Sequence, residues 1–463
     1  MMTRPTLPLL LGAAAVLAGA LIASPLLVCA AIATPFCLSW CGRGLPPAER
    51  RFLIATLSAG LLVRVALVAA QFIEGLPWHN DMTVGALAGD ESYYLSRALR
   101  VRDLMAGYAA TKYDYFVAND DYGQTSYLTL LTWLQVVFGP TPYSLKVVNG
   151  LLYVCGAALL FRMARTAFGV LPSFIGLMIL LFLPSLLFSS VSLLKESLYF
   201  CVSAVFITAS WWVVRQVHRR DWPRLVQLGT LSAVSLLILD GLRRGALVLM
   251  AGGLLLGLVL WAAGLSRARI VVGAAVAALA IAAIVVVPPV HDRFMRGVET
   301  AAKMHAGHVF TVGHVYKLMD EHFYVTPHAP AAWDLRLTGA QAMRFLGRGA
   351  ISFFVTPWPW QMRSTGELAL LPEHMLWYVL VAMLPFGIAA GWRLDPLATA
   401  LLLGFAIPTA AVVALTNGNV GTLFRLRGLA TPYLLWISSV GLCFVAERLI
   451  AMRDARAIAI ETA

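Results

Sequence analysis

Long apolar runs separated by short polar connections dominate the chain. They fall at 7–33, 52–73, 145–165, 171–190, 193–213, 224–240, 244–262, 270–289, 372–391, 397–415 and 429–448. A bilayer crossing takes roughly 20 residues, so this pattern predicts about eleven spans. No period-two alternation runs through them. Backbone in hydrocarbon must satisfy its own hydrogen bonds, so the spans are expected as helices. The window at 7–33 is too long for the apolar stretch of a signal peptide, and no small-x-small site follows it. It is read as a retained span, with a helix that folds back as the alternative.

Two longer segments interrupt the runs, at 74–144 and 290–371. Long ordered connections commonly carry function. In the first, 92–105 places Leu95, Leu99 and Leu104 at helical spacing with Arg97, Arg100 and Arg102 between them. The stretch 125–138 is apolar but short and ends at Gly139-Pro140. Both are expected as helices lying at the membrane surface. The fold class is therefore an all-α polytopic membrane protein. A single membrane domain, 1–463, comprises N-terminal spans (7–73), a first loop (74–144), central helices (145–289), a second loop (290–371) and C-terminal spans with a tail (372–463). No internal repeat is visible, which weighs against transporters built from paired halves.

Composition supports this reading. Of 463 residues 60% are hydrophobic and 13% charged, against about a quarter charged in a soluble domain. The net charge of +12 comes with no basic run interleaved with aromatics, so nucleic acid is not an expected partner. Arginine instead collects in alternate connections: Arg43, Arg50 and Arg51; Arg162 and Arg165; Arg215, Arg219, Arg220 and Arg224; Arg267 and Arg269; Arg393; Arg448, Arg453 and Arg456. The positive-inside rule makes that side cytoplasmic and both long loops extracytoplasmic. The six cysteines lie mostly in apolar stretches. Cys37 and Cys41 share a helix face, but no second pair completes a zinc pattern.

Four groups of residues are candidates for chemistry. Asp90-Glu91 opens the helix expected at 92–105. Acids are common there as caps and as partners of the helix dipole. A carboxylate at headgroup level also suits a general base acting on a sugar hydroxyl. Lys195, Arg243, Arg244, Arg425 and Arg427 lie in short connections where the orientation rule does not expect cations. Pairing of Lys195 with Glu196 and of Arg243 with Asp240 would offset them, as would snorkelling. A lipid-linked phosphate would do so as well, and the arginine fork suits it. His291, His305, His308, His314, His322 and His328 crowd the second loop, with His374 after it. They are read as loop histidines, with Asp320, Glu321 and His322 in an amphipathic loop helix and a metal as the alternative. Trp358 and Trp360 read as interfacial aromatics, with sugar stacking as the functional alternative.

In order along the chain, several of these features resemble the GT-C superfamily of membrane glycosyltransferases. A span containing Arg64 leads to Asp90-Glu91 and then Tyr93-Tyr94. Leu128 to Gly139 follows, then Leu145-Lys146-Val147-Val148-Asn149-Gly150 and a span closing on Arg162 and Arg165. The hairpin from Leu183-Pro184-Ser185 to Leu194-Lys195-Glu196 resembles that family's helix pair with charges at its outer turn. The resemblance covers about 52–262, and Asn419 to Arg427 resembles a stretch in bacterial membrane proteins linked to polysaccharide assembly. The chain departs from the family plan in its extra N-terminal span and in carrying Arg243-Arg244 where one arginine is usual. The resemblance implies inverting transfer from a polyprenyl-phosphate-linked sugar to a glycan, lipid or protein acceptor, on the outer face of a bacterial inner membrane. Asp90 is the implied base. Glu91 would orient the acceptor, share the proton or hold a divalent ion, magnesium or manganese. The five cations would hold the phosphate, and Tyr94, Trp358 and Trp360 the acceptor sugar. A lipid-linked oligosaccharide polymerase or ligase, a transporter or flippase for such lipids, and a non-catalytic assembly factor are the alternatives.

Overall fold

The computed structural model describes residues 24–74, 90–108, 111–120, 125–217, 220–264, 266–324, 335–362 and 364–461. Those residues form α1 (Pro25–Cys41), α2 (Pro47–Glu74), α3 (Asp90–Met105), α4 (Lys112–Asn119), α5 (Ser126–Phe138), α6 (Pro142–Phe168), α7 (Val170–Phe182), α8 (Pro184–Ser190), α9 (Glu196–Val217) and α10 (Trp222–Leu242). There follow α11 (Ala246–Gly264), α12 (Arg267–Val286), α13 (Pro288–Val309), α14 (Gly339–Val355), α15 (Thr365–Ala369), α16 (Leu371–Leu394), α17 (Pro396–Thr416), α18 (Val420–Arg427) and α19 (Thr431–Glu461). Among the described residues there is no strand, only an isolated bridge between Val315 and Asn419. The chain is an all-α, multi-pass membrane protein.

Among the described residues nine helices are long and apolar enough to cross a bilayer: α2, α6, α9, α10, α11, α12, α16, α17 and α19. The pair α7 and α8 passes the same test together but is bent by 60°, as a broken span or a re-entrant loop is. These nine helices and the bent pair coincide with the apolar windows from 52–73 onward. Residues 7–23 of the first window lie outside the described residues. Its remainder opens α1 behind Ser24, whose side chain accepts from the Leu27 amide, with Pro25 at the first helical position.

By contact the chain divides into two compact units, Met1–Arg162 with Leu186–Leu247, and Met163–Ser185 with Val248–Ala463. In the first unit, α9 packs against α10, and α3 against α4 and α5. The expected short helices are thus present as α3 and α5. Arg97, placed by spacing among the polar residues of its helix, is instead fully buried. It donates to the Tyr93 hydroxyl at 2.8 Å and to the carbonyls of Ala118 and Asp120, tying α4 to α3.

The second unit is built on close helix crossings. A Cβ at Gly387 would strike the Ile437 carbonyl, and one at Gly404 would strike the backbone of Gly253 and Gly257. Small residues let apolar helices approach to backbone contact, a main source of cohesion where lipid supplies no hydrophobic drive. The described residues of the second long segment form a packed layer. Val298, Ala302, Ala306, Leu318, Met319 and Phe345 bury one another between α13 and α14. The amphipathic helix expected around His322 is a four-residue 3-10 turn, Glu321–Tyr324. Its cause is local: the Tyr324 hydroxyl accepts from the amides of Leu318 and Met319 at 3.0 Å each, which folds the chain back on itself.

Candidate functional site

In the first unit, α3 begins at Asp90, where the helix dipole favours acids. The two acids then part company. Asp90 is exposed, whereas Glu91 is completely buried. Glu91 Oε2 meets Lys146 Nζ at 2.8 Å, and that ammonium donates to Gln71 Oε1 at 2.6 Å. Lys146 has no solvent exposure either. Burial pushes the Glu91 carboxyl above its ordinary range; Lys146 and the Leu193 amide act in the opposite sense with less effect.

One turn further along α6, Asn149 Nδ2 donates to the Ser192 carbonyl at 2.7 Å, with the Leu194 carbonyl at 3.2 Å and the Tyr127 hydroxyl at 3.3 Å. Arg64, buried in the α2 span, donates from Nε to Ser190 Oγ at 2.7 Å and from a terminal nitrogen to the Gly60 carbonyl at 2.8 Å. Its guanidinium lies over the Tyr153 ring, 4.8 Å from the centroid. The turn at 191–195 is therefore gripped from α2 and α6, and it presents Lys195 and Glu196. Arg243 approaches Glu196 Oε1 at 3.8 Å and lies over the Tyr199 ring. Asp240, the partner that sequence spacing suggests for Arg243, instead accepts from the Leu247 amide at 3.1 Å. Arg244 is exposed. Tyr94 meets Tyr127 edge-on at 5.9 Å.

Contacts within this unit thus run from Tyr94 through Tyr127 and Asn149 to the turn bearing Lys195, and through Glu196 to Arg243, with Glu91 buried against Lys146. No family model matches the chain, and neither a curated protein nor a solved structure matches it.

The second unit holds Arg425, Arg427, Trp358 and Trp360. Arg425 is half-buried and Arg427 buried. Arg427 donates to the Thr356 carbonyl at 2.7 Å, and its guanidinium lies among the rings of Phe353, Trp377 and Phe424 at 5.2–5.6 Å. Burial lowers its pKa to about 10. Trp358 and Trp360 stack at 4.9 Å, with Trp360 73% exposed.

The histidines serve the backbone. His305 and His308 donate from Nδ1 to the carbonyls of Asn417 and Thr416 at 2.7 and 2.8 Å, satisfying groups that the end of α17 leaves open. His314 meets the Glu367 carboxylate at 2.7 Å, His291 in the first turn of α13 donates from Nδ1 to the Ile284 carbonyl at 3.1 Å, and His322 lies against Phe323 in the 3-10 turn. His328 lies outside the described residues. Burial lowers His305 to about 4. Among the described residues no group of three His, Cys, Asp or Glu side chains is placed to hold a metal.

No motif in the sequence marks Lys146, Gln71, Asn149 and Tyr127 as site residues, and Arg64 stands there only as a landmark of its span. The signal for three of them is a polar side chain inside an apolar window. A charge there costs about 2.5–3.5 kcal/mol on insertion scales and calls for a partner.

Proposed function

We propose that this chain is a GT-C-like glycosyltransferase of the bacterial inner membrane. It moves a sugar from a polyprenyl-phosphate donor to an acceptor hydroxyl in the assembly of cell-envelope glycans. The observation that carries the reading is the division of labour between Asp90 and Glu91. Glu91 is locked against Lys146 and so is a positioning group. Asp90, the preceding residue at the same helix start, stays exposed and is suited to be the base.

The reaction is a single displacement. As the acceptor oxygen attacks the anomeric carbon, Asp90 takes its proton, and the bond between that carbon and the phosphate oxygen breaks on the opposite face, inverting the configuration. Negative charge grows on the departing phosphate. Lys195, Arg243 and Arg244, grouped in the first unit, are the cations assigned to stabilise it. Arg427 is occupied by Thr356 and three rings, so the phosphate role is not extended to it.

Asp90→Asn tests this directly. Loss of a general base costs about 10²–10⁴ in rate. Purified protein in detergent, supplied with labelled polyprenyl-phosphate sugars and a glycan acceptor, is expected to lose transfer by that factor while its thermal unfolding is unchanged. Wild-type turnover in the variant rejects the assignment. Detergent removes any transmembrane gradient, so transfer there also separates an enzyme from a flippase.

A further inference from the structure

The break between α7 and α8 borders a cavity of about 20 Å³ in the second unit, which glycosyl transfer does not use. Its lining includes Ser185, Glu373, His374, Phe424 and Arg427. Two polar atoms of these residues are buried without a hydrogen-bond partner, Arg427 Nε and His374 Nδ1. Both residues are nine-tenths buried or more.

The two atoms have opposite needs. Tyr378 donates its hydroxyl proton to the Val355 carbonyl at 2.8 Å, so its oxygen accepts from His374 Nε2, 2.9 Å away. In the neutral ring the proton is thereby fixed on Nε2, and Nδ1 is left as a lone pair. Arg427 Nε–H can only donate. A guest must therefore accept and donate at close quarters, as a hydroxyl-type oxygen does. Charge narrows the choice, since a cation would face Arg427 and an anion would face the Glu373 carboxylate. Size narrows it again, because one water needs roughly 10–15 Å³ of such space and about three polar partners. Glu373 supplies the third. Its oxygens take the Ser185 amide at 2.8 Å and the Ser185 hydroxyl, and each keeps a second lone pair.

We propose that this cavity is a binding site for one neutral hydroxylic guest, a single water, which accepts from Arg427 Nε–H and donates to His374 Nδ1 and Glu373. The water joins the first turn of α16 to the end of α18 beside the carboxylate that caps the start of α8. The site is independent of the glycosyl-transfer reading.

A map of the full chain in lipid nanodiscs, fine enough to show ordered water, tests it alongside spectra of ¹⁵N-labelled histidine. One peak is expected within about 2.7–3.2 Å of both Arg427 Nε and His374 Nδ1. The spectra should show His374 protonated on Nε2, with Nδ1 bare and hydrogen-bonded. An empty cavity, a peak bonded to only one of the two atoms, density for a larger ligand, or a proton on Nδ1 overturns the proposal. In His374→Phe the peak should vanish with its acceptor; a peak persisting in place refutes the role of His374. Should that variant fail to fold, the map and spectra of the unsubstituted chain decide.

Discussion

A buried ion pair such as Glu91–Lys146 contributes less net stability than its 2.8 Å separation suggests, because both charges have left water. Removing one partner is another matter. Glu91→Gln should strand the Lys146 ammonium and lower stability by about 3–5 kcal/mol. The double variant with Lys146→Met should recover much of that loss, which thermal unfolding in detergent would show as strong non-additivity. Additive losses would mean that the pair is not coupled. His305 gives a pH signature of defined sign. Burial holds its pKa at about 4 against an ordinary 6.5, so the unfolded chain takes up a proton first as pH falls. Stability should be lost between pH 6.5 and 4, at up to about 1.4 kcal/mol per pH unit, and be indifferent to this group above 6.5. His305→Asn keeps a donor for the Asn417 carbonyl and should flatten the slope. From sequence, Asp90 and Glu91 were indistinguishable as acids. What separates them is that only one face of α3 packs inward, and that Lys146 arrives from a helix distant in the chain.

Elements were easier to read than partners. The apolar windows from 52–73 onward correspond to nine long helices and one bent pair because each had to satisfy its backbone internally. The stop at Leu183-Pro184 is visible as a proline, which cannot continue the hydrogen-bond ladder. The residue that repairs the break is not visible: Glu373 receives the amide and hydroxyl of Ser185 across 188 positions. The turn at Glu321–Tyr324 is hidden differently: it depends on one nearby tyrosine hydroxyl, a contact that hydrophobic spacing does not encode. Glycine crossings make the sharpest prediction at this scale. Gly404→Leu would force a side chain into the backbone of Gly253 and Gly257. Overpacking typically costs about 1–3 kcal/mol, and a backbone obstacle that cannot turn aside places this case at the upper end. A variant that melts with the parent chain would show that α11 and α17 can separate freely.

For the whole molecule, arginine bias predicts the direction of threading. In a cysteine-free background, Thr111→Cys should react with a membrane-impermeant thiol reagent applied from outside, and Ser266→Cys only after the membrane is opened. The reverse pattern would put Asp90 on the cytoplasmic side and sink an outer-face reaction. The two compact units divide the candidate residues, with Asp90, Glu91, Tyr94, Lys195, Arg243 and Arg244 in one and Trp358, Trp360, Arg425 and Arg427 in the other. Sequence order could not show that grouping, since the units interleave along the chain. One helix stands apart in its demands. No residue in the most apolar window of Ala268–Val286 is buried by the rest of the protein. Most of its side chains face away from the described protein, so leucine, valine, isoleucine and alanine should replace one another there more readily than in the packed spans. Exchange among apolar residues is cheap on such a face, while an arginine or aspartate at its centre would incur about 2.5–3.5 kcal/mol.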